Sequence, residues 1–385
     1  MTAILGAVHE QVPFLIGDVM VSSPRAPHNN VVHPMSGVPS VAAPVWFDTR
    51  YAVDWRQKLV VIGTHLLVAW AGSRLEARAT IRRMRERYAQ IDPTDFSQLE
   101  TCLQVADELE ISKCDFIFLL ANRQRWGLRS YGRGATGFKT RWSENAVAAG
   151  SGSDMLIDSL DVVSEFGDRA IDPFNRTLGQ LVLAAARMWY FDLSGVGATY
   201  AFGGCFEMAI RQNSQISKLD DVLFVSHVYR PNEGIGLLPY FLKIDYVGDL
   251  LVARVLDFSL PPKSPDVDFD YKRTAVYVIP PVDTIWSASN PAPEREALMA
   301  ELGSLNASHF GTYVNIPSVD PKKNPHSVSL HTYNTESRPI EFEFGEGELP
   351  VGFNMTDTYL NGVIRAVRDT LIDANEPVPK SWDSI

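Results

Sequence analysis

Thr2 has the shortest route to chemistry of any residue in the chain. Once Met1 is removed, it carries a hydroxyl nucleophile and a free α-amine on one residue. An unperturbed α-amine titrates at about 7.7–8.0, so much of it is neutral near physiological pH and can take the hydroxyl proton. A threonine working with its own N-terminus is an accepted form of the nucleophile–base arrangement. The small residue after Met1 suits aminopeptidase trimming. Met-Thr is also a common opening, so the assignment depends on the residues downstream.

Bulk properties exclude several other chemistries. The 385 residues carry a net charge of −11 and 45% hydrophobic residues, which argues against nucleic acid or an anionic membrane as the main partner. No apolar run has the length of a membrane span, and the first thirty residues lack the basic and apolar regions of a secretory signal. Cys102, Cys114 and Cys205 show no paired spacing, and the eight histidines form no His-x-x-x-His pair. A reduced, cytoplasmic setting with no metal and no cofactor is the expectation.

The elements that must position Thr2 follow in order. Residues 3–8 and 12–17 read as short apolar strands joined at His9-Glu10-Gln11. Residues 19–57, with Pro24, Pro27, Pro34, Pro39 and Pro44, read as an irregular surface excursion. Residues 58–72 are two apolar runs about Gly63-Thr64-His65, a buried hairpin. Ser73 caps a helix to Tyr88 whose many arginines predict a solvated face, and a second helix is expected over 94–110. Strands are expected at 114–122, 125–132 and 145–149, helices at 154–166 and 173–190, and strands at 202–210 and 221–229. Hairpins and helix pairs alternate as blocks, which is not the rhythm of a doubly wound sheet. The expected fold class is α+β: a four-layer α-β-β-α sandwich of two antiparallel sheets.

At this point the order of elements and the residues agree with a known pattern. The region 1–230 resembles the proteasome β-subunit family, with its bacterial HslV- and Anbu-type relatives, among the N-terminal nucleophile hydrolases. The matching residues are Thr2 in a strand, Gly6 four positions on, and Asp18 closing the second strand. Lys58-Leu59 opens the third strand, and Ala71-Gly72 ends the following hairpin. Gly150-Ser151-Gly152-Ser153 opens the third helix, and Gly203-Gly204 starts the next strand.

The resemblance implies roles for these residues. Thr2 Oγ would attack the scissile carbonyl, with its amine, Ser151 and a water accepting the proton. Lys58 would place positive charge beside the nucleophile, and Asp18 would hold Lys58. The Gly72 N–H would face the developing oxyanion, a donor typically worth about 2.7–4 kcal/mol. Taken singly, Asp18 also reads as a turn cap, Lys58 as a strand end, and Gly72 and the Gly-Ser pair as helix starts.

The chain departs from the pattern in two places. The Asp18–Lys58 gap is lengthened by the Pro-rich insertion. The family's Asp and Ser before the Gly-Gly strand align with Thr199 and Phe202, while Asp192 and Ser194 lie nearby as substitutes.

Residues 231–385 have no counterpart in the family and form a C-terminal α/β extension. It is expected to hold a hairpin over 238–259, strands at 274–279, 327–333 and 340–345, a helix from Pro291 to Leu305, and an amphipathic helix over 356–374. Gly345-Glu-Gly347 lacks the Lys of a phosphate loop.

The leading functional expectation is a threonine-type peptidase or amidase acting on a peptide or amide substrate within a ring or related homo-oligomer. The alternatives are a catalytically inactive structural or binding subunit and a small-molecule amide hydrolase. No residue singles out an ATPase unfoldase as partner.

Overall fold

The computed structural model describes residues 2–23, 51–140, 143, 145–164, 172–193, 202–230, 234–257, 273–284, 307–316, 326–333, 339–344 and 350–382. It is a mixed α/β chain with several antiparallel sheets and few helices.

The chain opens with β1 (Ile4–His9) and β2 (Val12–Asp18), paired antiparallel with Ile4 opposite Gly17. Glu10 and Gln11 both take positive φ, 46° and 69°, so the turn has hairpin geometry without the glycine it usually uses. Glu10 is held in place by an ion pair with Arg176. The ends of the Pro-rich stretch are more regular than expected. β3 (Met20–Ser23) and β4 (Tyr51–Trp55) pair with each other, and residues 24–50 between them lie outside the described residues.

A four-stranded sheet follows, ordered β5 (Leu59–Gly63), β6 (Leu66–Gly72), β7 (Cys114–Ala121) and β8 (Trp126–Tyr131). Between β6 and β7 run α1 (Arg74–Tyr88), α2 (Phe96–Thr101) and α3 (Gln104–Glu108). The single helix expected over 94–110 is broken because Cys102 and Leu103 donate to carbonyls three residues back, Leu99 and Glu100, which tightens the chain out of α geometry. The arginines of α1 do more than meet solvent. Arg74 pairs with Asp54, Arg87 with Glu108 at 2.7 Å, and Arg85 with Asp283 at 2.7 Å, tying α1 to three separate segments.

β9 (Thr136–Phe138), which the sequence pattern did not announce, and β10 (Ala146–Ala149) join β1 and β2. Helices α4 (Ser153–Ser164) and α5 (Pro173–Leu193) come next. α5 starts where expected because Pro173 fixes φ at its first position and the Asp172 carboxylate accepts the Asn175 N–H at 3.1 Å. The strand expected from 202 begins only at Phe206, since Gly203 and Gly204 hold φ of 151° and 96° in a turn. β11 (Phe206–Gln212) and β12 (Gln215–Lys218) complete a six-stranded sheet ordered β12-β11-β2-β1-β10-β9.

Strand alternation sorts β1 between two apolar environments. Ala3, Leu5 and Ala7 join Leu156, Leu160, Leu181 and Met188 of α4 and α5. Ile4 joins Leu59, Leu67, Ile117 and Leu119 of the four-stranded sheet. The far side of that sheet, through Val60, Val68, Trp70 and Phe116, packs on Ile81 and Met84 of α1. Gly6 sits where the two sheets meet. A Cβ there would lie 2.5 Å from the Leu15 side chain, 2.8 Å from Ile117 and 2.9 Å from Leu128.

A second six-stranded sheet covers α5. Its strands are β13 (Val222–Arg230), β14 (Gly234–Val247), β15 (Leu250–Asp257), β16 (Arg273–Ile279), β17 (His309–Ile316) and β18 (His326–Tyr333), ordered β16-β15-β14-β13-β17-β18. Phe224, Leu242, Ala253 and Tyr313 from this sheet share one apolar cluster with Trp189 and Val182 of α5. β17 was not expected and runs parallel to β13. Its buried Thr312 masks the apolar signal, and that hydroxyl is bonded to Tyr359 Oη at 2.6 Å.

β19 (Ile340–Phe344) pairs with the unexpected β20 (Pro350–Met355). Then α6 (Asp357–Asp373) lays Val363, Val367 and Leu371 against Leu223, Val225 and Phe310. The helix expected from Pro291 to Leu305 and the Gly345–Gly347 stretch lie outside the described residues. No helix among the described residues is long and apolar enough to cross a membrane.

Replacing Gly6 with Val should cost about 1–3 kcal/mol, because the added methyls enter a filled space. Urea unfolding of wild type and variant measures this, and an unchanged midpoint would mean the sheets do not meet at Gly6.

Candidate active site

Thr2 lies just before β1 and is 1% exposed. Its carbonyl accepts the Gly152 N–H at 3.1 Å. Its hydroxyl is enclosed and has no hydrogen-bond partner among the described residues. A buried hydroxyl without a partner forfeits the free energy of its lost water contacts, a cost of roughly 1–3 kcal/mol that structures seldom carry without a use.

The Gly-Ser-Gly-Ser stretch is pressed against this residue. Gly150 has φ of 95°, and a Cβ on it would fall on the Thr2 carbonyl oxygen, so only glycine fits. Ser153 Oγ donates back to the Gly150 carbonyl at 2.8 Å, closing the turn that starts α4. Ser151, between the two glycines that touch Thr2, is exposed, and its hydroxyl makes no hydrogen bond to Thr2.

Asp18, at the end of β2, is fully buried and accepts two backbone N–H groups, from Ala3 at 3.1 Å and Gly203 at 3.2 Å. Its own N–H donates to the Ala3 carbonyl at 3.0 Å. Burial pushes the carboxyl pKa up to about 6, against the opposing pull of Lys58 and these two N–H donors. Asp192, near the end of α5, accepts the Gly204 N–H at 3.1 Å. Consecutive glycine N–H groups therefore link two buried carboxylates, and Asp192 also explains Gly203, whose Cβ would strike that carboxylate. Ser194 lies outside the described residues.

Lys58 is 1% exposed and precedes β5. Its Cβ would be 3.3 Å from a Cβ on Gly17, which brings its stem beside the end of β2. Burial lowers its pKa to about 8, with Asp18 opposing as the largest favourable charge. Among the described residues, no carboxylate lies within ion-pair distance of its ammonium. The ammonium sits 3.8 Å from the centre of the Trp70 ring. A desolvated cation over indole gains about 2 kcal/mol, so Trp70 supplies the contact that a carboxylate oxygen was expected to supply. Gly72, two residues further along β6, has φ of 103°, and a Cβ on it would strike the Lys113 carbonyl. It is exposed at the start of α1, whose N-cap is Ser73.

The structure therefore brings Thr2, Asp18, the Gly150–Ser153 turn and Gly203-Gly204 into one hydrogen-bonded group, with Asp192 behind it. Lys58 is coupled to that group by charge.

Sequence reasoning missed the support behind Lys58. Glu207 is fully buried in β11, and one of its oxygens accepts both the Lys58 N–H at 2.5 Å and the Leu59 N–H at 3.0 Å. Its other oxygen accepts from Lys218 Nζ at 2.7 Å and Tyr246 Oη at 3.1 Å. Lys218 also donates to Gln57, whose amide nitrogen reaches the Asp249 carbonyl at 2.6 Å and the Ile279 carbonyl at 2.7 Å. The available signal was a charged residue inside the apolar run Phe206-Glu207-Met208-Ala209-Ile210. Trp70 gave no such signal, because an aromatic in an apolar strand reads as core.

No group of His, Cys, Asp and Glu that would hold a metal ion occurs among the described residues. No protein-family model matches the chain, and no curated protein matches it at a significant level.

Two outcomes test the geometry. Asp18→Asn removes the main charge that supports the Lys58 ammonium, so the Lys58 pKa should fall further below 8; a 13C-lysine NMR titration reads this directly. Glu207→Ala leaves Lys218 buried without its partner and should cost about 3–5 kcal/mol in urea unfolding, as breaking a buried pair does.

Proposed function

We propose that the chain is a threonine-type peptidase or amidase of the N-terminal nucleophile kind. In this reading its two N-terminal sheets and their helices are the layers of an α-β-β-α sandwich. Thr2 becomes the first residue after loss of Met1 and works within a homo-oligomeric assembly. The observation that carries the reading is the unpartnered Thr2 hydroxyl, enclosed next to the Asp18 carboxylate network and the Gly150–Ser153 turn.

The chemistry follows from these groups. Thr2 Oγ adds to the amide carbonyl as its proton passes to the α-amine. The proton then goes to the leaving amine, and water resolves the ester through the same amine. Lys58, protonated below about 8, is the positive charge that this reading assigns to the nucleophile. Asp18, ionised above about 6, favours that protonated form while fixing the Ala3 N–H next to Thr2. The Gly72 N–H is the proposed oxyanion donor. Ser151 reaches the amine through a water, since its hydroxyl does not meet Thr2 directly.

A second reading, a catalytically silent subunit, draws on the 1% exposure of Thr2 and the engagement of Lys58 by Trp70. Labelling by a threonine-directed boronate or epoxyketone discriminates between the two.

Three results are expected of the active protein. Intact-mass analysis finds Met1 absent. Thr2→Ala abolishes hydrolysis of fluorogenic peptide or amide substrates while the variant stays folded by circular dichroism. The pH profile of kcat/KM is a bell, rising as the Thr2 amine and Asp18 give up their protons, Asp18 near 6, and falling as Lys58 deprotonates near 8. A retained Met1 on active protein, or full activity in Thr2→Ala, removes the proposal.

A further inference from the structure

The two N-terminal sheets each end in an unpaired strand on the same side of the molecule. β8 is the last strand of the four-stranded sheet, and β9 is the last of the first six-stranded sheet. Among the described residues neither has a second neighbour. Between them lies a groove of about 500 Å³, lined by the apolar Trp126, Leu128 and Val147 and by the cations Arg129 and Lys139.

The backbone of this groove is open to pairing. The Asn122 N–H donates to the Arg125 carbonyl at 2.9 Å, which sets the alternation of the β7–β8 ladder. Counting from that bond, the N–H and C=O groups of Trp126, Leu128 and Ser130 point to the outer edge of β8. Among the described residues the Leu128 carbonyl is met only by the guanidinium of its neighbour Arg129, at 3.1 Å. An open edge beside an apolar trough is a template for one more strand.

Charge says what that strand should carry. Residues 122–143 hold five arginines and one lysine and no acidic residue, in a chain of net charge −11. Arg129 is balanced by Glu100 at 3.0 Å. Arg133 and Lys139 are exposed and form no ion pair among the described residues. A positive run of an acidic protein thus takes in an unpaired edge, with Arg129 and Lys139 lining the groove beside it.

We propose that the groove between β8 and β9 docks an extended peptide in which acidic and apolar residues alternate, added as a strand to the outer edge of β8. The apolar side chains of such a peptide turn into the trough towards Trp126, Leu128 and Val147. Its carboxylates meet Lys139 in the groove lining and Arg133 in the β8–β9 connection. This surface is separate from the Thr2 site and does not depend on hydrolysis.

The test uses full-length protein and a fluorescein-labelled octapeptide of alternating Asp and Val, followed by fluorescence anisotropy. Saturable binding is expected, weakening at least tenfold between 50 and 300 mM salt, as exposed charge pairs are screened. The double variant Arg133→Glu, Lys139→Glu should weaken binding at least tenfold at unchanged thermal stability, since both residues are exposed. A peptide N-methylated at alternate backbone positions should not bind, because it cannot extend the ladder. Equal binding of a Lys-Val octapeptide, or indifference to the double charge reversal or to N-methylation, overturns the proposal. So does an absence of peptide binding together with loss of self-association in the charge-reversed variant, which would make a second copy of the chain the occupant.

Discussion

The buried carboxylate of Asp18 is the constraint on which the arrangement around Thr2 depends. It closes β2, holds the Ala3 N–H at the entry to β1, and holds the Gly203 N–H in the turn before β11. Two separated stretches of chain converge on its two oxygens. A carboxylate out of water is costly unless its lone pairs are filled, and this one is filled almost wholly by backbone. Its pKa nevertheless stays raised because burial outweighs those donors and Lys58 together. Asp18 is therefore held by position rather than by an ideal electrostatic environment, a state sustained only where surrounding structure fixes it.

Lys58 carries the matching strain. Its ammonium is desolvated, drawn towards Asp18 at a distance, and seated on an indole face. The backbone at Lys58 is gripped from the other side by Glu207, which belongs to a second buried network with Lys218, Gln57 and Tyr246. Tyr246 lies in β14, and the carbonyls that fix Gln57 come from the turn after β14 and the end of β16. The C-terminal region thus takes part in placing the lysine. A surface ion pair is worth at most about 1 kcal/mol, so the exposed Arg83–Glu86 pair contributes little beside this network.

Much of the site was legible from one chain because its parts impose backbone constraints that only certain residues meet. Gly6 permits two sheets to touch, Gly150 lets a turn lie on the Thr2 carbonyl, and Gly203 makes room for the Asp192 carboxylate. Such positions leave a glycine at a fixed place in the order of elements, and the spacing survives insertions elsewhere. The α1 arginines were misread in part, because a solvated face and a set of inter-segment ion pairs have the same one-dimensional pattern. β17 and β20 escaped notice for a related reason. A buried hydroxyl or a glycine in a strand breaks the apolar alternation on which strand reading depends.

By itself the sequence determined the type of most N-terminal blocks, the hairpins, the helices and the special turns, since local periodicity and the steric freedom of glycine are written residue by residue. It also singled out Thr2, Asp18 and the Gly150–Ser153 turn, which the fold brings together. Only the tertiary structure decided what those groups meet. It set the Lys58 ammonium on Trp70, recruited Glu207 from a strand 149 residues away, and covered α5 with a second sheet. Those outcomes depend on desolvation and on contacts between distant segments, and neither quantity has a value until the chain is packed.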